Sequence, residues 1–235
     1  MSTFVLVHGA WHGGWAWQRV VPTLQAAGHE VHTPTLTGLS DRAHTLTPQV
    51  GLSTHIDDIV ALLEAYDLRE VVLVGHSYAG QIVTGVADRV PERLALRVHL
   101  DAFVGDDGET AVGLQPDTVA GHWREAAEGP GFGWLVPPRS LTKLGVTEQA
   151  DIDWLTPRLT PHPWLTYTEP LRLAGKADQV AGVFIECVDW MRVFRDQAER
   201  AAARGWPVHE IATGHEAMVT APDELAALLL DIVNS

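Results

Sequence analysis

Ser77 stands in the segment Val74-Gly75-His76-Ser77-Tyr78-Ala79-Gly80. A serine hydroxyl is a poor nucleophile at neutral pH. It attacks a carbonyl only when a histidine takes its proton, an acid orients that histidine, and N–H groups receive the oxyanion. The segment comes within one residue of Gly-x-Ser-x-Gly, with Ala79 in the fifth position and glycine one residue late, at Gly80. Gly75 allows the close packing that a sharp strand-to-helix turn demands, and Ala79 is still small, so the turn is expected to present Ser77 as a nucleophile. The alternative is a serine in an ordinary turn, and its partners decide between the two.

His215, in Thr213-Gly214-His215-Glu216, lies between the last predicted strand and the last helix, where the chain order Ser…Asp…His puts the general base. Asp189, after the strand beginning at Val183, is the expected acid that holds the imidazole tautomer; Asp101 and Glu186 are its rivals. The stretch His8-Gly9-Ala10-Trp11-His12-Gly13-Gly14 follows the first strand, and its glycines free the backbone to aim N–H groups. The Ala10 and Tyr78 N–H groups are the expected oxyanion donors. His8 and His12 are four residues apart, but a glycine-rich segment after a strand is no helical face, and no carboxylate accompanies them. No metal and no cofactor are expected.

The elements that must position these groups alternate along the chain. Short runs at 4–7, 29–33, 71–74, 96–100, 183–185 and 208–211 read as strands, wholly apolar at 4–7, 71–74 and 183–185 and mixed with polar residues in the others. Between them the spacing i, i+3, i+4, i+7 predicts helices, as in Trp17, Val20, Val21 and Leu24, or Ile56, Ile59, Val60 and Leu63. Further helices are read behind Ser77 through Ile82, Val86 and Val90, across about 191–204, and from Pro222 onward. This is the pattern of an α/β fold, a mainly parallel sheet with helices on both faces. Residues of about 105–175 break the alternation, with short helical pieces at 116–127 and 148–156, and read as a cap inserted into one domain spanning 1–235.

Hydrophobic residues make up 46% and charged residues 20%, a globular composition. The net charge of −14 argues against a nucleic-acid partner. Cys187 is alone, no signal peptide is read at Met1-Ser2-Thr3-Phe4, and no run approaches a membrane span, so a cytoplasmic protein is expected. A homodimer is left open.

The blocks FVLVHGAWHGGWAW, VVLVGHSYAG and TGHEAM resemble the α/β-hydrolase superfamily, in particular its small esterase and hydroxynitrile lyase-like branch. That branch includes plant methyl esterases, bacterial carboxylesterases and cyanohydrin-cleaving lyases. The resemblance implies the α/β-hydrolase fold with a helical cap and a small-molecule ester as substrate. Lyases of the plant type carry Thr where this chain has Gly9 and Lys where it has Glu216, which favours the esterase. A carbon–carbon-cleaving or cyclising enzyme on the same triad, or a non-hydrolytic receptor, are the other readings. Trp11, His12, Trp123, Phe132, Trp134, Trp154 and Trp164 are the expected substrate-binding residues, with the Tyr78 side chain as a further wall, giving an apolar or aromatic pocket.

Overall fold

The computed structural model describes residues 1–234. The chain runs β1 (Thr3–Val7), α1 (Val21–Ala26), β2 (Glu30–His32), α2 (Leu52–Ala65), β3 (Val71–His76), α3 (Ala79–Arg89) and β4 (Leu94–Leu100). Then come α4 (Asp117–Glu128), β5 (Leu135–Val136), α5 (Gln149–Leu155), β6 (His162–Pro163) and α6 (Leu165–Thr168). It ends with β7 (Gly182–Cys187), α7 (Arg195–Ala203), β8 (Val208–Ile211), α8 (Ala217–Thr220) and α9 (Pro222–Asn234).

Six strands form one sheet in the order β2-β1-β3-β4-β7-β8, and every pairing in it is parallel. All six carboxyl ends therefore lie along one edge. The order reverses between β1 and β3, and such a switch point opens a crevice outside the strand ends. β3 and β7 are buried at every position, as strands covered on both faces must be. One core layer packs Ile56, Ile59, Leu63, Ile82, Val83 and Val86 of α2 and α3 against Val5, Val7 and Leu73. The other sets Leu24 of α1 and Leu225 and Leu229 of α9 against Phe4, Leu6, Val72 and Val74. Alternate residues of one strand thus face opposite layers.

Two local readings need correction. The helical spacing from Trp17 to Leu24 does not make one helix: a 3-10 turn over Gly14–Trp17 precedes α1, which begins at Val21 with Pro22 in its first turn. Proline has no N–H and its ring collides with the carbonyl four residues back, so a helix can begin at Pro22 but not pass through it. The helix read across 191–204 is confined to Arg195–Ala203, because Arg192 adopts φ 44°. Between β4 and β7 the chain carries α4, α5, α6 and the antiparallel pair β5–β6, joined through Leu135–Pro163 and Val136–His162. No helix among the described residues is long and apolar enough to cross a membrane.

Candidate active site

Ser77 follows β3 directly and adopts φ 56°, in the left-handed region. For a residue with a side chain this conformation costs about 1–2 kcal/mol, and neighbouring bonds hold it. The Ser77 N–H donates to the Leu100 carbonyl at 3.1 Å, and the Ser77 carbonyl accepts from the Gly80 and Phe103 N–H groups, each at 3.1 Å. The chain beyond β4 thus crosses directly over the start of α3. A Cβ at Gly80 would lie 2.1 Å from the Phe103 oxygen, and one at Gly75 would lie 2.4 Å from Val83 Cγ2. The crossing therefore requires glycine at position 80, while the Ala79 methyl is absorbed into the core.

His215 lies in the loop after β8, held by its N–H to the Leu144 carbonyl at 2.9 Å. Its Nδ1–H donates to Asp101 Oδ2 at 2.6 Å, with both side chains buried. Asp101, at φ 42°, closes β4; its Oδ1 accepts from the Cys187 N–H at 3.2 Å. Phe194 stacks on the His215 ring, 5.2 Å between centroids at 9°. Burial pulls the imidazole pKa down, but the hydrogen bond and charge of Asp101, joined by the charge of Glu216, outweigh it and leave the pKa raised. Behind His215, His76 Nε2–H donates to the His215 carbonyl at 2.9 Å. Burial and the nearby His215 hold the His76 pKa well below the usual range, so it adds no second cation.

Asp189 does not contact His215. It is exposed and its N–H donates to the Thr213 carbonyl at 3.2 Å. Asp101 takes the imidazole because β4 adjoins both β3 and β7, and its left-handed backbone turns the carboxylate toward the histidine loop. Glu186 is also committed elsewhere, in a bidentate pair with Arg192 at 2.7 and 2.6 Å.

The loop after β1 is held from several sides. The Gly9 carbonyl accepts from His8 Nδ1–H at 2.8 Å and the Ala10 carbonyl from His12 Nδ1–H at 2.6 Å. The Trp11 carbonyl accepts from the Thr160 N–H at 2.9 Å, and Trp11 itself adopts φ 67°. The Ala10 and Tyr78 N–H groups donate to no acceptor among the described residues. A Cβ at Gly9 would lie 2.7 Å from His76 Nδ1 and 3.0 Å from Ser77 Cβ, so this loop lies directly against the nucleophile turn.

Ser77 and His215 open onto a cavity of about 330 Å³ walled by Trp11, Phe103, Trp123, Tyr167 and Phe194. Of the aromatic residues singled out from sequence, Trp11 and Trp123 line it. The others do not. His12 is buried behind the loop, its Nε2 3.3 Å from Glu216 Oε2. Phe132 is 83% exposed. Trp134 and Trp164 join through a backbone bond at 2.8 Å beside the β5–β6 pair. Trp154 packs edge-on against Trp15 and lies beneath Arg19 and Arg158. The Tyr78 side chain also turns away, its hydroxyl 3.1 Å from His55 Nδ1. Sequence reading missed Phe103, Arg139, Leu144, Tyr167, Met191, Val193 and Phe194, which come from loops, a short 3-10 turn and a one-turn helix, none long enough to mark an inward face, and from residues 191–194, read from sequence as helix.

The alpha/beta hydrolase family model matches residues 4–228. The carbendazim hydrolyzing esterase of Nocardioides sp. (strain SG-4G) is 39% identical over 241 residues, covering 97% of this chain and 98% of that protein. Salicylic acid-binding protein 2 of Nicotiana tabacum is 26% identical, covering 98% and 96%. Among solved structures, an extracellular alpha/beta-hydrolase from a Paenibacillus species shares the fold, with a TM-score of 0.87, 22% identity and 98% of each chain covered. The chain belongs to the alpha/beta hydrolase family and is an enzyme of that family.

Proposed function

We propose that the protein is a serine hydrolase that cleaves a small carboxylic ester on an apolar or aromatic frame. One observation carries this reading: a left-handed Ser77 and an Asp101-bonded His215 share one aromatic cavity. In the reaction Ser77 Oγ attacks the ester carbonyl while His215 Nε2 takes its proton. The Ala10 and Tyr78 N–H groups receive the oxyanion, and Asp101 stabilises the imidazolium. Collapse of the tetrahedral intermediate breaks the ester C–O bond, and His215 returns the proton to the leaving alcohol. Water, deprotonated by His215, then releases the acid and regenerates Ser77.

The relatives support ester cleavage, since one is named a carbendazim hydrolyzing esterase and others are named methylesterases. Lyase chemistry is disfavoured at two positions. Gly9 leaves no room for a larger side chain, and Glu216, directly after His215, is buried against His12 outside the cavity. Cys187 is no rival nucleophile, because it is buried and its thiol pKa is pushed up by burial and by the Asp101, Glu216 and Glu186 charges.

The test is Ser77→Ala assayed on a panel of methyl and p-nitrophenyl esters, with cyanohydrins alongside. Loss of at least about 10³-fold in kcat is expected, with no release of aldehyde and cyanide by the wild type. Near-normal ester hydrolysis by Ser77→Ala would overturn the assignment.

A further inference from the structure

Beyond Ser77 and His215, the otherwise apolar cavity is lined by the polar side chains of Gln115, Arg139 and Lys143. Arg139, between β5 and the next turn, contributes a half-buried guanidinium to the same lining as Ser77 and His215. Ten of the fourteen arginines form ion pairs with carboxylates. Arg158 donates instead to a backbone carbonyl, and Arg124 and Arg172 are exposed to water. Arg139 alone among the described arginines is half-buried with neither an ion pair nor a hydrogen-bonded acceptor. Its protein contact is the face of Trp123, 5.8 Å from the ring centroid.

A partly desolvated guanidinium carries five N–H donors and cannot shed its charge. In a chain of net charge −14, carboxylates to neutralise it are plentiful, yet none is supplied here. Lys143 lies at the same rim, exposed and likewise unpaired. The field of Arg139 reaches the reaction centre, where it opposes protonation of His215. A bound anion would therefore pair a guanidinium that the protein leaves without a partner.

Resting on the ester-hydrolase reading, we propose that the substrate is a half-ester: an aromatic or apolar frame bearing the scissile ester and a separate carboxylate that Arg139 binds. The carboxylate matches the planar fork of the guanidinium and accepts two parallel N–H bonds. Trp123 and Tyr167 flank the frame, and the ester carbonyl reaches Ser77. Arg139 is thereby the specificity-determining residue of the pocket, and Lys143, exposed at the rim, adds little.

The test compares the monomethyl esters of the three benzenedicarboxylic acids with methyl benzoates in which a neutral carboxamide replaces the carboxylate. The wild type is expected to favour at least one carboxylate isomer over its carboxamide by about 10–100-fold in kcat/KM, the range of a charge-assisted contact. In Arg139→Met that ratio should fall toward one, with Arg139→Lys intermediate. Thermal melts of each variant confirm folding, and calorimetric titration of Ser77→Ala with the preferred half-ester reads binding without turnover. Equal wild-type rates on both members of every pair overturn the proposal and leave the ester-hydrolase reading standing. So does a wild-type preference that survives Arg139→Met unchanged. Turnover of neither series by the wild type likewise overturns the proposal, whereas turnover that survives Ser77→Ala overturns the ester-hydrolase reading itself.

Discussion

Replacing Asp101 by Asn tests the site at the point where sequence and structure diverge. The substitution keeps the shape of the side chain, and its Oδ1 can still accept from the Cys187 N–H at 3.2 Å. What changes is the 2.6 Å contact to His215, because an amide nitrogen at the Oδ2 position donates where the carboxylate accepted. The imidazole is then held with Nδ1 as acceptor and its hydrogen on Nε2, the wrong tautomer to take the Ser77 proton. The pair is buried, so water offers no ready substitute. An equivalent tautomer trap lowers kcat by about 10⁴-fold, or roughly 5 kcal/mol of transition-state stabilisation. Asp101→Asn should therefore lose about 10³–10⁴-fold in kcat, while Asp189→Asn, on an exposed side chain, stays within about twofold. The pH profile gives an independent reading. Asp101 is what lifts the His215 pKa against burial, so removing its charge should shift the acidic limb of residual activity to lower pH. Initial rates with a p-nitrophenyl ester from pH 5 to 9, with circular dichroism as a folding control, suffice. Near-normal kcat in Asp101→Asn, or a collapse in Asp189→Asn, would refute the reasoning.

Two predictions concern the scaffold. Gly80→Ala places a methyl 2.1 Å from the Phe103 oxygen and should lower the melting temperature by about 5–10 °C, whereas Ala79→Gly, which restores Gly-x-Ser-x-Gly, should cost only about 1 kcal/mol and leave esterase activity near wild type. A drop below about 2 °C in Gly80→Ala would refute the packing account. Five buried histidines titrate below their ordinary value: His8 and His99 at about 3, His55 at about 4, and His76 and His162 well below 6.5, chiefly because burial penalises their charge. Folded, they stay neutral where the unfolded chain takes up protons, so their stability contribution is complete above pH 6.5 and shrinks as the pH falls. Each group costs up to about 1.4 kcal/mol per pH unit, and five cost up to about 7, opposed only by His215 with its raised pKa. Against a typical stability of about 5–15 kcal/mol, urea midpoints should fall steeply below pH 6, with cooperative acid unfolding near about pH 5. A flat profile down to pH 4 would contradict this.

What could be read from the chain followed from how local each signal was. The strands β1, β3 and β7 announce themselves as apolar runs rich in β-branched residues, and Ser77 and His215 lie where single segments specify their own turns. The pairing of His215 with Asp101 is not local: two strands offer a carboxylate, and a φ of 42° at Asp101 decides which one reaches the ring. The cavity wall was the least legible part. A tryptophan in an irregular segment carries no period, so Trp154, packed on Trp15, and Trp123, lining the cavity, look alike in sequence. Arg139 was hidden for another reason, since its significance lies in a partner it lacks. The β5–β6 pair, two residues on each side, is too short to show alternation.

The fit of Gly9 against the nucleophile turn also constrains how this enzyme can change. A side chain introduced at position 9 would displace the His76 ring, whose Nδ1 occupies that space. Yet the other nitrogen of His76 tethers the His215 carbonyl at 2.9 Å. Bringing a hydroxyl beside Ser77 through position 9 would therefore press on the residue that holds the general base. A side chain at position 9 and the tether of the general base thus compete for the same histidine, which couples the two positions.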